Sequence, residues 1–261
     1  MNVSTGAIFN TYVIPQQPIA FGAQQVTGIV FSNGVMTVQG KEVEAKSIQS
    51  ALEDLCTWLE QYDNVVLLAH NGRKFDFPVL VSAVGKNNLY DRLCTCVLAC
   101  VDSLSLFKKI FPNESSYKQE ALVQNILQQK YNAHDAIADV QALGSLYTFP
   151  SDLPVKDVFA HSFTLKAIHL NQVHLKEKAR HLPSLSIIVA NSVCKSSTAE
   201  NIASSGLNLG HLRTIFTRDG QDGLLNVFQG KNSEGQPRVT NAKRVLESVV
   251  PKLAEFFSKN S

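Results

Sequence analysis

Two short stretches set acids and imidazoles inside apolar sequence: LLAHNGRKFDFPVL at 67–80 and YNAHDAIADVQALGSLY at 131–147. The first offers His70, Asn71 and Asp76; the second offers His134, Asp135 and Asp139. These are the side chains that move protons near neutral pH and that bind cations or hydrogen-bond donors. Each stretch also has a plain structural reading. Asp76, two residues before Pro78 at the head of an apolar run, suits a helix N-cap with proline in the first turn, where its missing donor is no loss. His70 and Asn71 suit a turn that closes a strand.

In the second stretch Ala136, Val140, Leu143 and Tyr147 form a helical stripe, and at about 100° per residue Asp139 falls beside Leu143 on its flank. A carboxylate aimed there needs a cation, a set of donors or a water-filled cleft, because an unpartnered buried charge is strongly disfavoured or shifts its pKa. His134 lies five residues earlier, roughly 140° away on a helix, so the two converge only if His134 sits on the loop entering it. A histidine cap with a hydrogen-bonded aspartate is the alternative. Asp135 points further round, toward solvent.

The elements that would position these residues alternate short apolar runs with helical periods over residues 1–148, an α/β pattern. IFNTYVI (8–14) reads as a strand ended by Pro15, and GIVFS and VMTVQ as a hairpin about Asn33-Gly34. Ile48, Leu52, Leu55 and Leu59 mark an amphipathic helix over 47–62. VVLLA (65–69) and CTCVLACVDSL (94–104) read as buried strands, and 119–131 and 135–147 as helices. FPSDLP opens a linker at 149–160. Residues 161–261 read as a basic, mainly helical region: a helix from FTLKAIHLNQVHLKEKAR, a strand from SLSIIVA, a helix started by a Ser197–Glu200 capping box, and a last helix with an apolar stripe from Val245 to Phe257 and a kink at Pro251. SSGLNLGHLRTIFTRDGQDGLL admits either helix-hairpin-helix DNA contact or helix packing with glycine C-caps, and 231–241 reads as an exposed loop.

Bulk properties narrow the class. The 261 residues are 44% hydrophobic and 18% charged, as in ordinary globular chains, and no apolar run is long enough to span a bilayer. The amino terminus lacks signal and transit patterns, which points to an intracellular location, nucleus or cytoplasm, with no membrane partner. Five cysteines, three of them in CTCVLAC, lack paired zinc-ligand spacing and read as reduced, buried thiols. Residues 1–150 carry 10 Lys and Arg against 13 Asp and Glu, and residues 151–261 carry 14 against 9, giving −3 and +5. The split suits an acidic, cation-binding part joined to a basic one that meets phosphates, or simply two solvated surfaces.

In order and spacing, AHNG-x-x-FDFPVL, VDSL at 101–104 and H-x-A-x-x-D resemble the motifs of DEDDh-type 3′-to-5′ exonucleases, which have a DnaQ-like, RNase H-like fold. The likeness runs over about residues 8–147. It is greatest to the three-prime repair exonuclease group and to the exonuclease-like carboxy-terminal region of one promyelocytic leukaemia protein isoform. The resemblance implies two Mg2+ ions, with Mn2+ an alternative, activating water and stabilising the leaving 3′-oxygen of DNA or RNA. It makes Asp139 a direct metal ligand, Asp76 a ligand through metal-bound water and His134 the general base. His70 and Asn71 would orient the loop and substrate, and Thr27, Gly28 and Ile29 would pack against the 3′-terminal nucleotide.

That family also uses a D-x-E motif on a first strand, and no D-x-E precedes His70. The expectation is an exonuclease domain lacking its first strand, cut from a longer protein that is a 3′-to-5′ exonuclease, with negligible turnover in this chain. The alternative is a non-catalytic nucleic-acid-binding or protein-interaction module on a degenerate exonuclease fold. The basic second region, where Lys166, Lys176 and Arg180 accompany His169, supports it. Expected partners are DNA or RNA 3′ ends and a protein partner or second copy.

Overall fold

The computed structural model describes residues 1–150, 153–231 and 235–260. It divides into two compact units, Met1–His169 and Leu170–Ser261. The first is mixed α/β. Strand β1 (Tyr12–Val13) pairs in parallel with β5 (Ala45–Lys46), and between them come helix α1 (Phe21–Thr27) and an antiparallel sheet of β2 (Ile29–Ser32), β3 (Val35–Val38) and β4 (Lys41–Val43). The Asn33-Gly34 hairpin forms as read, both residues having positive φ, 50° and 80°, which matches the right-handed strand twist. The expected strand at 8–14 is reduced to Tyr12–Val13, the two residues with ladder partners in β5.

Helix α2 (Ile48–Leu59) starts where the Ser47 hydroxyl accepts the Ser50 N–H, and it buries Ala51, Leu52, Cys56 and Leu59. Next come β6 (Val65–Ala69), α3 (Asp76–Lys86), α4 (Tyr90–Cys96), β7 (Val97–Asp102) and α5 (Ser103–Ile110). Strand β6 runs parallel to β7, with Val66 opposite Ala99 and Ala69 opposite Asp102. Cys94 and Cys96, expected in the strand, lie in α4, which buries Leu93, and the strand begins only at Val97, whose backbone is extended.

Helix α6 (Gln119–Leu122) passes into a π-helical turn, Val123–Leu127, which ends at Gln128 in the left-handed region, so the helix expected to 131 stops short. Helix α7 (Ala136–Thr148) packs on α5 and α6 through Phe107, Leu122, Leu143 and Leu146. Of the expected 149–160 linker, Ser151 and Asp152 lie outside the described residues, and Val155–Ala160 is helix α8. The boundary between units falls later than expected because β8 (Ser162–Phe163) pairs antiparallel with β7, and Leu165 and Ile168 enter the core with Phe77 and Val81.

Helix α9 (Leu165–His181) precedes a 3-10 turn, Leu182–Leu185, and α10 (Ser186–Ala190). SLSIIVA is therefore helical and not a strand: Leu185 and Ile188, three apart, are both fully buried. Helix α11 (Ser196–Ser204) begins before Ser197, capped by Lys195 without a side-chain bond, and Glu200 pairs with Lys178 at 2.7 Å in place of the capping box. Gly206 (φ 80°) follows it, with Leu207 N–H bonded to Ile202 O, a glycine C-cap. Helix α12 (Leu209–Gln229), broken at Gly220, and α13 (Lys243–Lys259), which includes Pro251, close the second core around Leu212, Leu224, Leu253 and Phe257. In the loop expected at 231–241, residues 232–234 lie outside the described residues.

Candidate functional site

The carboxyl ends of β6 and β7 lie side by side, the end of a parallel α/β sheet where diverging connections leave a crevice. His70 directly follows β6. Its Nε2 lies 2.8 Å from Tyr117 O and its Nδ1 3.0 Å from the Ser103 hydroxyl. A carbonyl only accepts, so Nε2–H donates there and Nδ1 accepts from Ser103. Burial pushes the imidazole below its ordinary pKa, partly offset by the Tyr117 carbonyl and by Asp102 and Asp76. His70 is thus a neutral brace between β6, α5 and the segment before α6.

Asn71 has φ 56°, and Gly72 is tightly enclosed: a Cβ there would lie 2.6 Å from Ala69 Cβ and 2.7 Å from the Phe77 ring. The buried Asp102 carboxylate accepts the Arg73 N–H at 3.2 Å and the Leu104 N–H at 2.9 Å, holding this turn to β7. Asp76 is not an N-cap. It is the first residue of α3, exposed, with Phe75 at the cap position and no side-chain cap bond, and Pro78 falls in the first turn. Its charge suits the positive end of the helix.

The facing wall comes from α6 and α7. The cap of α7 is Asp135, whose Oδ1 accepts the Ala138 N–H at 2.9 Å, so the residue read as pointing to solvent does the capping. His134 lies on the entering loop, as convergence with Asp139 requires, with φ 70° and Nε2 3.8 Å from Glu120. Asp139 is half-buried in the first turn of α7. Gln119 Nε2 donates to Tyr131 Oη at 3.2 Å and to Asp139 O at 2.9 Å. Burial, with the Asp139 contact second, pushes the Tyr131 phenol up to about 12.

These walls enclose a cleft of about 1170 Å³ lined by His70, Asn71, Asp76, His134 and Asp139, together with Phe75, Lys118, Gln119, Glu120 and Tyr131. The structure brings five of the candidate residues to one cavity. Thr27, Gly28 and Ile29 do not line it: Thr27 ends α1, Gly28 is its left-handed C-cap (φ 70°), and Ile29 opens β2. Sequence reasoning missed Gln119 and Tyr131. Their only signal is that they stand at the two ends of the apolar run 119–131.

A pair of Mg2+ ions fits this donor set poorly. Among the described residues no three of His, Cys, Asp and Glu are grouped to hold a metal ion, whereas such ions sit in rings of oxygen ligands. The five cysteines are free, with Cys56, Cys100 and Cys194 buried. No helix among the described residues is long and apolar enough to cross a membrane.

The first unit carries an RNase H-like domain: residues 3–127 match the family described as the Exuperantia RNAse H-like domain. Over 122 residues the chain is 29% identical to the maternal protein exuperantia of Drosophila virilis, covering 42% of this chain and 25% of that protein. The chain thus spans about a quarter of the length of the curated relative it matches. Residues 181–260 match the family described as the PML C-terminal domain. That match falls on the helical second unit, outside the 8–147 stretch that carries the exonuclease resemblance.

Proposed function

We propose that the cleft receives the 3′ end of a DNA or RNA strand, and that this chain binds it with negligible cleavage. The observation that carries the reading is the convergence of two motifs more than fifty residues apart, His70–Asp76 and His134–Asp139, on one cavity at the ends of β6 and β7. Lys118 can meet a phosphate there, and the exposed Phe75 ring can stack on a base. The exposed His134 imidazole can contact the strand end. In a longer protein supplying further acidic ligands, the same cleft would serve a DEDDh-type 3′-to-5′ exonuclease, with His134 accepting the proton of the attacking water. The residues described supply no such ligand set.

Fluorescence anisotropy with 5′-labelled single strands of DNA and RNA tests the reading. Binding should weaken as salt rises, as phosphate contacts require, and should weaken in His134→Ala and Lys118→Ala. Absence of binding, or affinity indifferent to salt, overturns it. Mg2+-dependent release of mononucleotides, abolished in His134→Ala, would show that the chain cleaves.

A further inference from the structure

Among the described residues of the second unit, Val173, Leu175 and Ile187 are the large hydrophobic side chains left exposed. Two of them border one groove. It measures about 560 Å³ and is lined by Ala179, Leu182 and Pro183 at the end of α9 and in the 3-10 turn, Val189 and Ala190 of α10, and Ala199 of α11. Leu182 and Val189 pack against the second core and Ala199 is fully buried, so the floor is the outer face of that core. The three alanines leave the space between the helices unfilled. Leu175, four residues before Ala179, and Ile187, three before Ala190, carry the apolar surface along α9 and α10. The rim is cationic. Lys176 stands three residues before Ala179, Arg180 three before Pro183, and Lys195, the N-cap of α11, four before Ala199. All three are exposed, and among the described residues none is in an ion pair. The nearby acids are taken: Glu200, which lines the groove, pairs with Lys178 at 2.7 Å, and Glu177 meets His181 at 2.8 Å. Residues 170–261 carry 12 Lys and Arg against 7 Asp and Glu.

We propose that this groove docks an acidic amphipathic helix of a partner protein, its aliphatic stripe on Leu175, Ala179, Leu182 and Ile187 and its Asp and Glu side chains against Lys176, Arg180 and Lys195. An apolar surface of this size rimmed by polar groups marks an interaction site, and a floor of small side chains between helices lets another helix approach closely. Strand addition is not open to this unit, whose β pairing among the described residues is the single bridge Lys231–Pro237. Nucleic acid suits the groove poorly, because no aromatic ring lines it to stack on a base. A second copy of this basic unit would bring like charge to the rim. The proposal concerns the second unit and stands whether or not the cleft of the first binds a strand end.

The test is selection of a displayed library of amphipathic helical peptides on the full chain. Recovered peptides are then synthesised and titrated by fluorescence anisotropy against wild type, Ala179→Glu and the double variant Lys176→Glu with Arg180→Glu. All three positions are exposed, so the variants should fold, which circular dichroism melting checks. The peptides should carry Asp and Glu beside an aliphatic stripe. Ala179→Glu, which sets a carboxylate on the apolar floor, should weaken them roughly tenfold or more. The charge reversal should weaken them about threefold to tenfold, and less at high salt. Recovery of no peptide overturns the proposal, as do peptides without acidic enrichment, peptides held equally by Ala179→Glu, and peptides indifferent to the charge reversal. If instead Ala179→Glu abolishes binding of phosphatidylserine vesicles or of a single-stranded oligonucleotide, or dissociates a dimer seen in sedimentation, the groove belongs to that occupant and the proposal falls.

Discussion

Replacing His70 by leucine removes two hydrogen bonds that join three parts of the first unit: the end of β6, the start of α5 and the segment before α6. Leucine keeps the apolar contacts but leaves the Ser103 hydroxyl, 0% exposed, and the Tyr117 carbonyl without the partners now 3.0 and 2.8 Å away. A buried polar group left unsatisfied costs about 1–3 kcal/mol, and Tyr117 is only half-buried, so the sum is about 2–4 kcal/mol. Trp58 is the single tryptophan and packs in the first unit, so its fluorescence reports the unfolding of that unit. With a urea dependence of roughly 2 kcal/mol per molar, the midpoint should fall by about 1–2 M. A midpoint within about 0.3 M of wild type would mean the bonds contribute no net stability.

The same pair of proteins tests the charge state. Burial holds the His70 imidazole below its ordinary 6.5, so in acid the unfolded chain binds a proton that the folded chain resists. Stability from the neutral ring is complete above about pH 6.5 and is lost as pH falls below it, by at most about 1.4 kcal/mol per pH unit. Carboxylates titrate in both proteins, but the difference between wild type and His70→Leu isolates the imidazole. That difference should shrink between neutral and mildly acidic pH. If it stays constant or widens, His70 is protonated in the fold and the assigned hydrogen-bond directions are wrong.

Two further outcomes follow from packing. Gly72→Ala sets a methyl 2.6 Å from Ala69 Cβ and 2.7 Å from the Phe77 ring, so the Trp58 urea transition should register a loss of about 1–3 kcal/mol; an unchanged midpoint refutes the crowding. Cys100 is 0% exposed and burial pushes its thiol up to about 12, so native-state labelling followed by mass spectrometry should modify it only as fast as the first unit unfolds. Prompt modification would contradict the burial.

Elements whose signal is local were legible. Asn33-Gly34 specifies its turn through two positive φ values, and the stripe Leu52, Leu55, Leu59 specifies α2 by period alone. Short apolar runs were not. SLSIIVA and the CTC of 94–96 fit strand or helix equally by composition; the paired burial of Leu185 and Ile188 marks the first as helical, and the second closes α4 just before the strand opens at Val97. At the site, residue types and spacing pointed to His70, Asp76, His134 and Asp139. The capping roles were misread, because an N-cap depends on φ/ψ one residue either way: Asp135 caps α7, while Asp76 lies inside α3. The bridge that Gln119 makes between Tyr131 Oη and the Asp139 carbonyl had no local signature. It exists because a π-helical turn and a left-handed Gln128 redirect the chain after Leu127.

The two carboxylates that resembled a metal pair each have a sufficient local reason to be where they are. Asp76 sits at the positive end of α3, and Asp139 sits in the first turn of α7, where its carbonyl oxygen accepts from the Gln119 amide. Neither position requires a ligand. His134 differs. Its backbone is left-handed at φ 70° and its imidazole is 64% exposed, so it meets its steric penalty of roughly 1 kcal/mol without burying its ring in exchange. Unfavourable backbone geometry persists where surrounding structure imposes it, and such positions gather at binding sites. Asp135, the neighbouring cap, and Gln119, which grips the first turn of α7, are the groups that impose it here. Function in this cleft is therefore better sought at His134, which the fold holds at the rim at a cost in stability, than at the acids that first drew attention.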